Sequence, residues 1–339
     1  MIPLCSPQQA RTPSALALGS FDGLHAGHRR VIDAVCREPH GGVPSVVSFW
    51  PHPREVLQGE PRLRLDLPDE KLTLLPPLGI EQLVLVPFNR ALAQLSAEAF
   101  VRTMLLDTLQ ARHIAVGANF RFGRGRLGTT DTLQTLCAEA GVKVTVLPIL
   151  EDASGAMSSS RIRAALSEGD LAMAQQLLGR PYRFSGTVVQ GRGLGHTIGW
   201  PTANLQVDGR KFLPGLGVYA AWAQVGDDDV RLPAVMNLGP QPTVDPNAPS
   251  AVEVHLLDTS RALVGATLMV EPVQRLRGQQ RFSSLEELSA QIGRDAQLAR
   301  STLMAEACNP STQGGSLNSK PRPGIGVGQA PDDENTDAS

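Results

Sequence analysis

The run Gly19-Ser-Phe-Asp-Gly-Leu-His25-Ala-Gly-His28 gathers residue types suited to holding phosphate. Gly19, Gly23 and Gly27 have no side chains, so backbone amides can crowd an anion at a helix start. There the helix dipole already favours negative charge. His25 and His28, three positions apart, share a face of the first turn and can donate to one phosphate chain. Phe21 and Asp22 lie in the turn between strand and helix. The plain alternative is a glycine-rich turn with two incidental surface histidines. A metal centre is the weaker reading, because no third ligand lies nearby.

Three further segments share this anion-binding character. Gly117-Ala-Asn119-Phe-Arg121-Phe-Gly-Arg124-Gly-Arg126-Leu-Gly128 holds three arginines within six residues. Its Gly123, Gly125 and Gly128 match G-x-G-x-x-G, but they begin six residues after the strand reading ends, whereas a dinucleotide turn follows its strand directly. A loop folding over phosphates, with Arg as a two-pronged clamp, fits better than a dinucleotide site. Met157-Ser-Ser-Ser160-Arg161-Ile-Arg163 reads as a helix start capped by Ser158, Ser159 or Ser160. Arg161 and Arg163 are expected to face one strand-end crevice. Pro51-His52-Pro53-Arg54-Glu55 reads as a stiff loop.

The elements that must position these residues differ between the two halves. Short runs rich in Val, Ile and Leu predict strands at 15–18, 43–49, 83–87, 113–117 and 142–147. Helical patterns at 27–36, 96–109 and 130–140 alternate with them, which argues for a parallel sheet with helices on both faces, a Rossmann-like α/β fold. Two more helices, 160–168 and 171–178, end at Gly179 and Pro181, placing a domain junction near Arg180. Strands are then predicted at 186–190, 217–225, 232–237, 252–258 and 268–273, with no helix before 284–306. That pattern predicts a small antiparallel β-barrel with a C-terminal helix. In 252–258 a period of two separates Val252, Val254 and Leu256 from Glu253 and His255. The resulting division is 14–180, 181–306 and a tail, 307–339, too poor in apolar residues to order itself.

The 339 residues include 31 Lys plus Arg against 33 Asp plus Glu, a net charge of −2, and 4% aromatics. This balance argues against duplex nucleic acid, single strands and anionic membranes as partners, but leaves small anionic ligands open. Residues 310–339 carry two basic and four acidic side chains, so the net charge resides in the tail. The four cysteines are widely spaced, without a C-x-x-C pair, as expected in a reducing cytoplasm. No signal peptide or apolar run of membrane-spanning length is evident.

The four motifs GSFDGLHAGH, PHPRE, GANFRFGRGRLG and MSSSRIR, in this order, resemble the FMN adenylyltransferase module of bacterial bifunctional FAD synthetases. H-x-G-H alone marks only the wider nucleotidyltransferase superfamily, while the set of four marks the flavin branch. The second half resembles a riboflavin kinase, through Gly186–Gly191, Gly199-Trp-Pro201-Thr202-Ala-Asn204, Leu213–Tyr219, Asn237-Leu-Gly239 and Glu253-Val-His255. The resemblance implies ATP, riboflavin and FMN as substrates and FAD as product. It implies ATP binding in the transferase by Gly19, Phe21, Asp22, Gly23, His25, His28, Asn119, Arg121, Ser159, Ser160, Arg161 and Arg163, with His28 catalytic. In the kinase it implies Gly191, Gly199, Pro201, Thr202, Asn204 and Asn237 around the ligands and Glu253 as general base. Thr202 and Asn204 offer hard oxygens for Mg²⁺ and are poor zinc ligands. Departures from the family pattern fall at His196, Gln241, Val244, Val264 and Gln279. The alternatives are a transferase for another phosphorylated substrate, or a barrel that only binds flavin.

Overall fold

The structure is a computed structural model that describes residues 1–191, 194–239, 252–259 and 261–308. Gln241, Val244, the side chain of His196 and the tail beyond 308 lie outside the described residues.

The first half builds the expected parallel sheet from β1 (Leu4–Cys5), β2 (Ser14–Leu18), β3 (Val43–Trp50), β4 (Gln82–Pro87), β5 (Ala111–Gly117) and β6 (Lys143–Leu147). Their order is β1-β4-β3-β2-β5-β6. The chain therefore moves outward from β2 in one direction and from β5 in the other, so the strand order reverses between these two neighbours. In open parallel sheets the crevice at such a reversal is where ligands sit.

Both faces of the sheet are covered, as the apolar runs require. On one face α1 (Ala26–Arg37) lays Val31, Ile32 and Val35 against Ala15, Ala17, Val46 and Leu83. Full burial of each such branched side chain stabilises by about 1.5–3 kcal/mol. On the other face Phe100, Leu105 and Leu133 pack on Leu16, Leu18, Val47 and Ile114. Leu133 lies on α6 (Thr130–Glu139), whose start is capped by Thr129 Oγ1 accepting from the Thr132 amide at 3.2 Å.

Local readings differ from the structure where short elements or backbone irregularity intervene. Residues 51–55 are not a loop throughout, because α2 (Pro53–Gln58) begins there with His52 Nδ1 accepting from the Arg54 amide. Pro68 at the first helical position opens α3 (Pro68–Leu74), which the sequence reading lacked. Helix α4 (Arg90–Ala93) is a single turn. The predicted helix 96–109 starts as α5 (Ala97–Phe100) and widens to a π-helix over Val101–Thr108. A hairpin of β7 (Glu151–Asp152) and β8 (Gly155–Ala156) separates β6 from α7 (Ser159–Glu168). Helix α8 (Leu171–Leu178) follows and ends at Gly179 in the left-handed region.

The second half closes into the predicted barrel, from β9 (Phe184–Val189), β10 (Ala203–Val207), β11 (Gly217–Val225), β12 (Leu232–Leu238), β13 (Val252–Leu256) and β14 (Thr267–Arg277). Closure removes the exposed edges that a six-stranded sheet would present. Strand β10 was missing from the sequence reading, and one turn, α9 (Leu194–Thr197), precedes it. Inward-facing Leu205, Val207, Met236, Val252, Val254 and Leu268 fill the interior, while α10 (Leu285–Ala307) packs Ala296, Ala299 and Leu303 on the outer wall.

The two halves are not separate cores at Arg180. Ile162, Leu166, Leu177 and Leu178 of α7 and α8 share one apolar cluster with Tyr182, Phe184 and the barrel interior. A strap from the first half crosses to the barrel as well. The Arg64 amide donates to the Arg210 carbonyl at 2.7 Å, and the Phe212 amide to the Arg64 carbonyl at 2.8 Å. Lys211, 1% exposed, donates from Nζ to the Leu65 carbonyl and to Glu70 Oε2, each at 2.7 Å.

Candidate functional site

The first site forms at the C-terminal ends of β2 and β5, where the strand order reverses. His25 caps α1, its Nδ1 accepting from the His28 amide at 3.4 Å, and the two imidazoles stack with centroids 3.7 Å apart. Gly27 permits this fold-back, since a Cβ there would lie 3.1 Å from the His25 ring. Burial, the Arg29 charge and the opposing pull of Asp22 leave His25 pushed down to about 4. Burial, then His25 and Lys71, pushes His28 well below the ordinary imidazole value. Both rings are neutral near pH 7. With Nδ1 of His25 used as an acceptor, its Nε2–H is the free donor. Buried Nδ1 of His28 has no hydrogen-bond partner within the protein, so this ring keeps capacity for a ligand.

Asp22 organises the loop between strand and helix. Its Oδ1 accepts from the amides of Leu65 at 2.8 Å and Asp66 at 3.3 Å, and Oδ2 pairs with Arg163 Nη2. Its carbonyl accepts from Ser159 Oγ at 2.7 Å. Gly23 has φ +93° and sits against Leu65, Ile162 and Leu178, a position no side chain could share. Phe21 is 1% exposed and holds φ +46°, with its ring 5.3 Å from His28 and against Gly19. Ordered strain of this kind concentrates at functional loops.

Arg161 and Arg163 do not face one crevice. Residues two positions apart on a helix point about 200° away from each other. Arg163 reaches Asp22 and the Leu63 carbonyl, whereas Arg161 forks onto Asp152 at 2.9 and 3.1 Å and caps the hairpin carbonyls. Ser158 supplies the cap of α7, which leaves Ser160 exposed. Asn119 is exposed just beyond β5. Arg121, Arg124 and Arg126 are exposed on a loop closed by the mutual backbone bonds of Phe122 and Gly128, at 3.1 and 2.9 Å. Among the described residues none of these three arginines forms a salt bridge.

Sequence reasoning missed the groups that hold this loop from a distance. Lys71, 6% exposed on α3, donates to the Ser20 carbonyl at 3.3 Å, and Ser48 Oγ donates to it at 3.1 Å. Arg64 and Arg210 flank the Trp50 ring, each 5.1 Å from its centroid. A cleft of about 300 Å³ opens beside them, lined by Glu55, Arg62, Leu63 and Arg210. No local pattern marks these partners, because they are 14 to 160 positions apart in sequence.

The second site lies on the outer wall of the barrel. In register, Asn204 of β10 opposes Glu253 of β13, and Glu253 opposes Asn237 of β12. The expected alternation holds, with Val252, Val254 and Leu256 buried and Glu253 and His255 partly exposed. Asn237 Nδ2 lies 3.3 Å from Glu253 Oε2. Gly191 sits beneath Asn204, where a Cβ would run into the amide. Thr202 and Pro201 form the turn into β10, and Gly199 precedes them with φ +80°. His255 Nδ1 bonds the Pro201 carbonyl at 2.7 Å, and its ring meets Trp200 edge-on at 5.3 Å. His255 therefore fixes the Pro201-Thr202-Ala203-Asn204 turn, a role the sequence reading did not assign. Val264 is 72% exposed, distant in character from a packed ligand wall.

The FAD synthetase family profile matches residues 7–161, and the riboflavin kinase profile matches residues 178–303. A bifunctional riboflavin kinase/FMN adenylyltransferase of Escherichia coli K12 is 39% identical over 288 residues, covering 84% of this chain and 91% of that protein. Its Bacillus subtilis counterpart is 35% identical, covering 87% and 94%. A crystal structure of a Streptococcus pneumoniae protein named for macrolide efflux superposes with a TM-score of 0.75 at 30% identity, covering 87% of this chain and 97% of that one. None of the described helices is long and apolar enough to cross a membrane. With both profiles matched in tandem, this chain belongs to the bifunctional riboflavin kinase/FMN adenylyltransferase family.

Proposed function

We propose that the two sites run consecutive ATP-dependent steps on one flavin. The barrel phosphorylates riboflavin to FMN, and the parallel-sheet module joins FMN to the AMP portion of a second ATP, giving FAD and pyrophosphate. The tandem match of both family profiles carries this reading, because each falls on one of the two separately built sites. We take 14–180 as the transferase and 181–306 as the kinase, with α7 and α8 packed between them. The four cysteines are unpaired, which fits a reducing compartment, and we place the enzyme in the cytoplasm.

In the kinase step the primary hydroxyl of riboflavin attacks the γ-phosphorus of ATP. The bond from that phosphorus to the β–γ bridging oxygen breaks, ADP leaves, and Glu253 takes the hydroxyl proton. Asn237 orients the Glu253 carboxylate, while Gly191, Gly199 and Pro201 shape the backbone around the nucleotide. Thr202 and Asn204 supply two neutral oxygens, and among the described residues no cluster of three acidic, His or Cys ligands could hold a metal alone. That donor set fits Mg²⁺ arriving on ATP and keeping phosphate and water ligands. When bound, Mg²⁺ neutralises charge on the transferring phosphates.

In the transferase step a phosphate oxygen of FMN attacks the α-phosphorus of ATP, and the bond to the bridging oxygen of pyrophosphate breaks. The nucleophile is already ionised, so the step needs placement and charge neutralisation more than proton transfer. Neutral His25 and His28 donate hydrogen bonds to the triphosphate at the α1 N-terminus, with the backbone of Gly19–Gly23, Ser159 and Ser160. Asn119 and Arg121 close over the nucleotides. Asp22, Arg161 and Arg163 hold this scaffold in place.

Incubation with riboflavin, ATP and Mg²⁺, followed by separation of the flavins, tests both steps. FMN and FAD should both accumulate. Conversion of supplied FMN to FAD without FMN formation from riboflavin would reduce the barrel to a flavin-binding module, and folded protein making no FAD would overturn the transferase assignment.

A further inference from the structure

Gln279 follows β14 and Gly278, at one of the positions where this chain departs from the kinase family pattern. Its Nε2 donates to Asn237 Oδ1 at 2.9 Å and to the Leu238 carbonyl at 2.6 Å. Asn237 in turn presents Nδ2 to Glu253 Oε2 at 3.3 Å. The segment bearing Gln279 is anchored next door, where Arg277 forks onto Asp295 of α10 at 2.8 to 3.1 Å.

The polarity of this chain is set by one group that cannot reverse. A backbone carbonyl only accepts, so the side of Gln279 facing Leu238 must be its NH₂. That same NH₂ meets Asn237, which must therefore turn its oxygen toward Gln279. The amide of Asn237 is planar, so its own NH₂ is left pointing across the strand pair at Glu253. If Gln279 did not donate, Asn237 would be free to turn over and set an oxygen against the carboxylate.

We propose that Gln279 is a positioning residue for riboflavin phosphorylation, fixing the Asn237 amide so that it donates to the Glu253 carboxylate. The proposal rests on the reading of Glu253 as general base. It acts through orientation alone, since Gln279 has no role in the proton transfer itself.

The test uses the full-length enzyme, with FAD formation from supplied FMN as an internal check of folding. Gln279→Met keeps the length of the side chain and removes its donor. It should lower kcat for FMN formation by about three- to tenfold, the scale of one hydrogen bond in partial contact with water. KM for ATP and the rate of FAD formation should stay unchanged. In an Asn237→Ala background Gln279→Met should add no further loss, as expected for residues acting in series. The proposal is overturned by wild-type kcat in Gln279→Met, by a rise in the KM for ATP in place of a fall in kcat, or by the same fractional loss with Asn237 absent. A Glu253→Gln enzyme that still makes FMN would instead remove the base assignment, and the proposal with it.

Discussion

The amide of His28 points at Nδ1 of His25, 3.4 Å away, while the two imidazoles stack at 3.7 Å over the start of α1. One ring thus caps the helix and both present donors rather than charges. An anion brought to this helix start would meet oriented N–H groups and the helix dipole rather than charged imidazoles.

FAD formation should therefore show no inflection from these two histidines between about pH 6 and pH 8, because burial holds His25 down to about 4 and pushes His28 well below the ordinary imidazole value. His28→Ala should slow FAD formation by about 10²-fold, the cost of one lost transition-state donor. FMN formation in the same protein should stay near wild type. Steady-state rates of each step across pH check both statements, and equal loss of both steps would argue against separate sites.

Stability should fall on mild acidification. Burial first, and neighbouring arginines second, hold His52 down to about 3, and His25 lies near 4. The unfolded chain takes up these protons below about pH 6.5 while the folded chain does not. Folding is thus favoured fully above about pH 6.5 and progressively less as pH drops toward 4. Calorimetric Tm should decline across that window, and a Tm flat down to about pH 4.5 would show that these rings protonate normally in the folded protein.

Glu253→Gln should cut FMN formation by about 10²- to 10⁴-fold, the usual worth of a general base. Conversion of supplied FMN to FAD should be nearly unaffected. The measurement is flavin separation after timed incubation with riboflavin and, separately, with FMN.

Asp22→Ala should damage the transferase half through the scaffold. It leaves Arg163, whose side chain is 15% exposed, without its carboxylate and removes the acceptor for two amides. Loss of one partner of such a buried pair costs about 3–5 kcal/mol. Denaturant unfolding followed by FAD-forming activity should show an earlier midpoint, whereas an unchanged midpoint would assign Asp22 no structural role.

Much of the molecule is written locally. The alternation of apolar runs and helical patterns in the first half encodes a parallel sheet with covered faces, and the turn-separated strands of the second half encode a barrel. What escaped was short or irregular. Strand β10 starts directly after the Pro201-Thr202 turn, so its first residues read as part of that turn. The π-helix at Val101–Thr108 keeps a helical composition, so only its hydrogen bonds distinguish it.

The site residues divide in the same way. Glycines, histidines and the Thr202–Asn204 turn are legible because their chemistry acts through neighbours in the chain. Asp22 with Arg163, Lys71 with Ser20, and Gln279 with Asn237 are not, since each pair is brought together only by folding.

From the sequence alone came the fold class, the candidate anion-binding helix start and the face of β13 that carries Glu253. Only the tertiary structure decided that Asn204, Glu253 and Asn237 form one row, and that Arg161 reaches Asp152 while Arg163 reaches Asp22. The physical reason is that strand register and helix placement are set by packing between segments far apart in the chain. A period of two tells which face a residue takes, but not which residue stands opposite.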